Sequence, residues 1–122
     1  MRGTSTSASP EASQARAVDA RVARVGGEPV LVVSLRDGRL LGLPLWLYPT
    51  LHSATPASRK RWELIAGGRG IRWPELDLDL SVNGMLAGTP DLTRNARKVA
   101  KALDLRAYAR ALSHRRTIRR AG

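Results

Sequence analysis

The sequence predicts an α+β fold: a small antiparallel sheet with a β-hairpin and short helices, followed by a basic C-terminal helical extension. Residues 17–35 are rich in valine and alternate in polarity at their start, which is typical of strands. Asp37-Gly38 lies between apolar runs and indicates a hairpin. Residues 89–122 have helical periodicity and carry ten basic and two acidic side chains.

Composition divides the chain into three parts. Residues 1–15 are small and polar, and we expect them to be disordered because they bury too little apolar surface. Residues 16–88 form the α+β domain and residues 89–122 a basic helical tail. The net charge is +11, with +2 in residues 1–24, +1 in residues 25–88 and +8 in the tail. A localised charge of this kind favours an anionic partner.

Two strands open the domain. In Ala17–Val25 the alternation places Val18, Ala20 and Val22 on one face, which predicts a half-buried strand. A glycine pair then turns the chain. The run Pro29–Leu35 is apolar on both faces and is therefore predicted to be a central strand.

A hairpin follows. Asp37-Gly38 predicts a type I′ turn, in which both central residues have positive φ. Leu40–Leu43 is the returning strand, and Pro44 ends it because proline cannot donate to a ladder.

Short helical segments come next. Leu45, Tyr48 and Leu51 recur every third residue, which predicts an irregular or helical turn that packs inward. Thr55 is a good N-cap, and proline at the first helical position loses no hydrogen bond, so a helix is predicted over Pro56–Trp62.

The region after this helix contains three glycines. Glu63–Ile65 either extends the helix or begins a strand, and Ile71–Trp73 reads as a brief strand ended by a proline. Gly67, Gly68 and Gly70 could suggest a phosphate-binding loop, but such a loop opens a helix and carries a lysine. A tight turn is the favoured interpretation.

The acidic residues Asp77 and Asp79 could ligate a hard cation, but further oxygen ligands at a suitable spacing are missing. We favour helix capping by Asp79 or Ser81 before a short helix, Val82–Ala87, and pairing of the acids with nearby arginines such as Arg72. No metal and no other cofactor is expected.

The sequence predicts no enzyme. His52 and His114 are isolated, and common hydrolase and metalloprotease motifs are missing. The chain has no cysteine, which excludes disulfides and fits a cytoplasmic location. Its start lacks the apolar region of a secretory signal, and its longest apolar run is too short to span a membrane.

The tryptophans have different settings. Trp62 and Trp73 could stack on bases, but their regular surroundings favour core packing. Trp46 is out of phase with its inward-facing neighbours, and we expect it to be exposed as an interface anchor. Trp46, Tyr48 and His52 are therefore the candidate protein-binding residues.

The tail shows two apolar stripes, with Asp104 predicted to cap a second helix after a kink. The stripes are Leu92, Ala96, Val99 and Leu103, followed by Leu105, Tyr108 and Leu112. The pattern fails as a helix-turn-helix, so we favour a basic amphipathic helix that packs on the domain or on a partner. Its cations are candidate nucleic-acid contacts: Arg94, Arg97, Lys98, Lys101, Arg106, Arg110, Arg115, Arg116, Arg119 and Arg120.

A run of motifs within residues 17–88 is distinctive. It comprises Asp37-Gly38, Tyr48-Pro49, Ala54-Thr55-Pro56, Trp62-Glu63-Leu64-Ile65, Gly67-Gly68, Trp73-Pro74, Leu76-Asp77 and Ser81-Val82. This run resembles the bacterial family catalogued as domain of unknown function 2442. The resemblance implies a small α+β domain and an association with two-gene modules of toxin–antitoxin type.

Two functions are expected. The first is a non-enzymatic regulatory module, antitoxin-like, that binds a small protein encoded nearby through the loop at residues 44–53 and the tail. The alternative is an accessory protein that binds DNA or RNA through the basic tail. A homodimer is compatible with either function, and no membrane contact is expected.

Overall fold

The computed structural model describes the backbone of residues 15–121 and the side chains of residues 15–113. It confirms the α+β class, with two antiparallel three-stranded sheets, short helices and a helical C-terminal region. Most of the segment predicted to be disordered, residues 1–14, lies outside the described residues. Ala15, the last residue of that predicted segment, is buried in the core.

The first sheet contains β1 (Ala17–Val25), β2 (Glu28–Leu35) and β3 (Leu40–Pro44), with β2 in the centre as predicted. In the register of this sheet, Val33 lies between Ala20 of β1 and Leu41 of β3. The buried face of β2 packs into the main core.

The prediction that Val18 lies on the inward face of β1 was wrong, because its side chain is 47% exposed. The pairing of β1 with β2 shifts between Ala17 and Asp19, which is a β-bulge. Because a bulge adds one residue to one strand, the alternation changes phase there. Ala17 faces the core in place of Val18, whereas Ala20 faces it as predicted.

The hairpin at Asp37-Gly38 is present, but the predicted type I′ turn was wrong. Gly38 has φ +96°, whereas Asp37 is not among the residues with positive φ. The Gly38 amide donates to the carbonyl oxygen of Leu35 at 3.0 Å, and the Leu35 amide donates to that of Arg39 at 2.8 Å. This is a type I turn followed by a glycine bulge, the common three-residue hairpin loop.

Three short helical pieces connect the sheets, namely a 3-10 turn (Leu45–Leu47), α1 (Pro49–His52) and α2 (Pro56–Arg59). Leu45, Tyr48 and Leu51 are buried, as their spacing predicted. The Thr55 hydroxyl accepts the Ser58 amide at 3.1 Å, which confirms the N-cap.

The helix predicted to reach Trp62 ends at Arg59. The amides of Lys60 and Arg61 bond back to carbonyl oxygens three residues earlier, so the last turn tightens and closes. The Arg59 guanidinium then donates to the carbonyl oxygens of Leu51 and His52, at 3.1 and 2.8 Å.

The second sheet contains β4 (Glu63–Ile65), β5 (Gly70–Trp73) and β6 (Leu78–Ser81), with β5 in the centre. Glu63–Ile65 is therefore a strand and does not extend α2. Strand β6 was not predicted. Its Leu78 and Leu80 face the core, and it pairs antiparallel with β5.

The short helix α3 (Val82–Leu86) follows β6 directly. The Ser81 hydroxyl accepts the Gly84 amide at 2.9 Å, so Ser81 is the cap of this helix. Asp79 does not cap it. Its carboxylate instead accepts two hydrogen bonds from Arg72 on β5, at 2.9 and 3.2 Å.

The tail folds into α4 (Arg94–Ala102) and α5 (Arg106–Ala121). The prediction that Asp104 caps the second helix was wrong. Asp104 has φ +55°, and the amides of Asp104 and Leu105 donate to the carbonyl oxygens of Lys101 and Ala100. This Schellman pattern ends α4, with aspartate in the position where glycine is usual.

The apolar residues form two adjacent clusters. The main core contains residues of both sheets, including Leu31, Val33 and Trp73. The smaller cluster consists of Ala96, Ala100 and Tyr108 in the C-terminal helices. Leu92 and Leu103, the ends of the predicted first stripe, are exposed because the buried face of α4 is formed by its alanines.

Candidate functional site

The predicted protein-binding residue Tyr48 is closed to solvent. Its side chain is 1% exposed, and its hydroxyl has no hydrogen-bond partner among the described residues. Burial, and secondarily the nearby Asp91 carboxylate, raise the pKa of this hydroxyl well above its usual range. Tyr48 in this conformation offers no surface to a partner.

Trp46 was expected to be exposed, but it is half-buried. It packs against both apolar clusters, so it joins the sheet domain to the C-terminal helices. Periodicity within the loop at residues 44–53 could not show this, because α4 and α5 provide the cover.

His52 is also half-buried, and its Nδ1 atom is closed to solvent without a hydrogen-bond partner among the described residues. Burial is the main cause of its lowered pKa, and the neighbouring Arg59 charge lowers the pKa further. The three predicted residues therefore do not form one exposed contact surface.

A set of polar bonds fixes the C-terminal helices on the domain. The Asp91 amide donates to the carbonyl oxygen of Leu47 at 2.9 Å, and its carboxylate accepts the Thr93 amide at 3.0 Å. The Thr93 hydroxyl caps α4 by accepting the Ala96 amide at 3.1 Å. The tail thus docks on the domain, one of the two arrangements expected from the sequence.

The cationic residues of the two helices lie on the surface. Arg97, Lys98 and Lys101 follow Arg94 by three, four and seven residues, which places all four on adjacent turns of one side of α4. Six described side chains of α4 and α5 are exposed cations, and we call them together the cationic face: Arg94, Arg97, Lys98, Lys101, Arg106 and Arg110. The side chains of Arg115, Arg116, Arg119 and Arg120 in α5 lie outside the described part.

Ion pairs join several cations of the sheet domain to acids. Arg61 lies 2.5 Å from a carboxylate oxygen of Glu75, and Arg72 lies 2.9 Å from Asp79. These pairs lower the pKa values of both acids.

Ion pairing is sparse on the cationic face. Among the described residues, its sole ion pair joins Arg106 to Asp104 at 3.5 Å, and both side chains are more than three-quarters exposed. Arg97 also has a polar neighbour, the Tyr108 hydroxyl. The cationic face therefore keeps nearly all its charge available.

A groove of about 340 Å³ lies between α4 and α5. We call it the interhelical groove. It has an apolar floor and a mostly basic rim. Its lining residues are Arg97, Ala100, Lys101, Asp104, Leu105, Arg106, Tyr108, Ala109 and Leu112. The groove was not predicted from the sequence, because a groove depends on how two helices pack. The small alanines at positions 100 and 109 are a local signal for it.

A smaller cavity of about 220 Å³ lies beside α3 and is lined by Tyr48, Asp79, Ser81 and Asp91 among others. One Asp91 carboxylate oxygen is closed to solvent and has no partner among the described residues. Asp79 is held by Arg72 and is not directed at a shared ligand.

The remaining motifs have structural roles. Gly67 and Gly68 have φ +67° and +92° and lead into β5, so they form a turn and not a phosphate loop. Trp73 is 1% exposed, and its indole N–H donates to the Arg59 carbonyl oxygen at 3.0 Å. Within residues 15–113, no three histidine or acidic side chains come together as a metal site.

Across the described residues, none of the helices combines the length and apolarity needed to cross a membrane.

Comparison with known proteins gives two similarities. The model of the family described as "Protein of unknown function (DUF2442)" matches residues 20–91. A crystal structure of a protein of unknown function from Rhodospirillum rubrum ATCC 11170 is 30% identical, with a TM-score of 0.55. That match covers 67% of this chain and 95% of the other. No curated protein matches.

Proposed function

The chain belongs to the family described as protein of unknown function DUF2442, and we propose that this member is a non-enzymatic protein that binds nucleic acid through its cationic face. The family resemblance noted from residues 17–88 is thereby confirmed, whereas the function is our inference. One observation carries it: among the described side chains, six exposed cations with a single weak ion pair occupy two adjacent helices.

The spacing of these cations suits a polyanion. Phosphate groups repeat along a nucleic-acid strand, and side chains three and four residues apart on a helix lie about 5–6 Å from each other. A row of cations on one side of α4 therefore meets several phosphates at once. Each neutralised phosphate releases condensed counterions, and this release drives association.

The proposed contact is with the backbone and not with base edges. The face consists of arginine and lysine side chains on an exposed helix, and phosphate contacts position a protein without reading sequence. We propose binding that is largely independent of base sequence. It follows that affinity depends steeply on salt and weakly on the oligonucleotide chosen.

Binding of a fluorescein-labelled duplex to the full chain, followed by anisotropy at increasing NaCl, tests the proposal. If all six described cations contact phosphates, the slope of log K against log salt is about −5. Binding that ignores salt, or no binding at low salt, would count against the proposal.

A second candidate is the antitoxin-like role, in which the chain binds a small protein encoded nearby. The observation that favours it is the interhelical groove, which has an apolar floor open to solvent. This placement moves the proposed contact away from Trp46, Tyr48 and His52, which are buried or half-buried. Co-expression with the neighbouring gene product, followed by co-purification, tests this candidate.

A further inference from the structure

We propose that the interhelical groove is the docking site for an acidic amphipathic helix of a partner protein. The proposal deepens the second candidate function and rests on it for the existence of a partner. It adds the position of the contact and the chemistry of what binds there.

The floor of the groove is apolar and incompletely covered. Leu105, which directly precedes α5, and Leu112 of α5 are half-buried, and Tyr108 also lines the groove. Ala100 and Ala109 are small, so they leave space between the helices where longer side chains would fill it. Apolar side chains from a partner would be removed from water in this space, which is a favourable transfer.

The rim selects the charge of the occupant. Arg97, Lys101 and Arg106 carry three positive charges, and Asp104 supplies one negative charge. Asp104 is already within 3.5 Å of Arg106. The remaining positive charge around an apolar floor is complementary to a segment that has aliphatic residues on one face and carboxylates beside them.

Two other occupants fit less well. A second copy of this chain carries a net charge of +11, so it would bring more positive charge to a basic rim. The N-terminal residues 1–14 contain one large apolar side chain, Met1, and one acid, so they cannot supply a row of anchors for the floor. Charge and composition therefore both point to an acidic partner.

The size of the groove suits a helix face. Its volume of about 340 Å³ is at the lower end of the range of roughly 300–1,000 Å³ for ligand pockets. That space accepts a few large side chains and not a whole domain. A helix that presents leucines at positions i, i+3 and i+7 supplies such a row of anchors.

The experiment mixes the full chain with a labelled synthetic peptide in the absence of nucleic acid. Fluorescence anisotropy of the peptide measures its binding. The peptide has leucine at positions i, i+3 and i+7 and is otherwise rich in glutamate and alanine. A second peptide of the same composition has its leucines scrambled around the helix. We expect the patterned peptide to bind at least about tenfold more tightly, the minimum for burying one leucine side chain.

Two matched variants locate the contact. Ala109→Glu places a larger, negative side chain in the groove, whereas Ala102→Glu makes the same change at an exposed position of α4 outside the groove. We expect Ala109→Glu to weaken peptide binding at least about tenfold and Ala102→Glu to have a much smaller effect. Thermal unfolding verifies that both variants fold.

Three results would overturn the proposal. The first is equal binding of both peptides, or equal loss in both variants, which would mean that charge alone attracts the peptide. The second is a dimer of the full chain in light scattering that Ala109→Glu dissociates. The third is contact with the chain's own N-terminal segment, seen as broadening of groove resonances by a spin label at Ser5→Cys in this cysteine-free chain. The peptide experiments contain no nucleic acid, so a failure of duplex binding would not change their results. The nucleic-acid proposal and the groove proposal can therefore be rejected independently.

Discussion

The Tyr108 hydroxyl donates a hydrogen bond to the backbone carbonyl oxygen of Asp91, seventeen residues earlier. Tyr108 belongs to α5, and Asp91 lies in the segment that leads into α4. Both residues are buried. The bond therefore holds the second helix of the tail against the point where the tail leaves the domain, and it fixes the position of the cationic face.

The two buried tyrosines give a matched pair of substitutions. Tyr108→Phe leaves the Asp91 carbonyl oxygen unsatisfied, and we expect the free energy of unfolding to fall by about 1–3 kcal/mol. Tyr48→Phe removes a hydroxyl that has no partner among the described residues. We expect it to leave stability unchanged or to raise it by about 1 kcal/mol. Urea unfolding measures both; equal losses would contradict the assigned bonding.

The glycine turn before β5 gives a second pair. A Cβ atom at Gly68 would lie 2.9 Å from the backbone oxygen of Ala17, whereas one at Gly67 would meet nothing within 4 Å. Both glycines have positive φ, so each alanine variant carries backbone strain of roughly 1–2 kcal/mol. We expect Gly68→Ala to be clearly the more destabilising in thermal unfolding. A larger effect at Gly67 would show that Gly68 does not pack on β1.

His52 predicts a pH dependence of stability. Its pKa is lowered in the folded state, mainly by burial, from the ordinary value of 6.5. The unfolded chain therefore binds this proton more tightly, and stability falls as the pH drops below about 6.5. We expect the wild type to lose more of its melting temperature between pH 7.5 and 5.5 than His52→Gln does.

The paired acids do not obscure this test. The pKa values of Glu75 and Asp79 are lowered from starting points of 4.5 and 3.8, so the stability from these pairs is lost only at more acidic pH. Identical pH profiles for the wild type and His52→Gln would contradict the assignment.

Features encoded by neighbouring residues were predictable from the sequence. The caps at Thr55 and Ser81 and the hairpin near Gly38 depend on a few consecutive side chains, and the structure contains all three. Even there the turn type was wrong, because Asp-Gly is compatible with more than one hairpin loop.

Features that depend on distant pairing were not predictable. The exposure of Val18 follows from a bulge that is set by the register with β2. Strand β6 has four residues between a turn and a helix, and pairing with β5 defines it. Trp46 is out of phase with the inward-facing residues of its own segment, which predicted exposure. Helices some fifty residues later in the chain partly cover it.

Of the candidate site, one part was predictable from the sequence and another was not. The six cations of the cationic face were predictable, because lysine and arginine at helical spacing remain exposed whatever packs beneath them. The interhelical groove was not, since its floor forms only when Tyr108 and Leu112 lie beside α4.

The central claim is that the cationic face binds nucleic acid, and a matched pair of lysine substitutions tests it. Lys98→Gln removes a charge from α4, whereas Lys60→Gln removes an exposed lysine charge near α2. The measurement is the salt dependence of binding to a labelled duplex, with the slope of log K against log salt as the readout.

We expect Lys98→Gln to reduce the magnitude of the slope by about 0.9, the value for one lost phosphate contact. The slope for Lys60→Gln should equal that of the wild type. Slopes that coincide for all three proteins, or a change confined to Lys60→Gln, would contradict the assignment of the nucleic-acid contact to the cationic face.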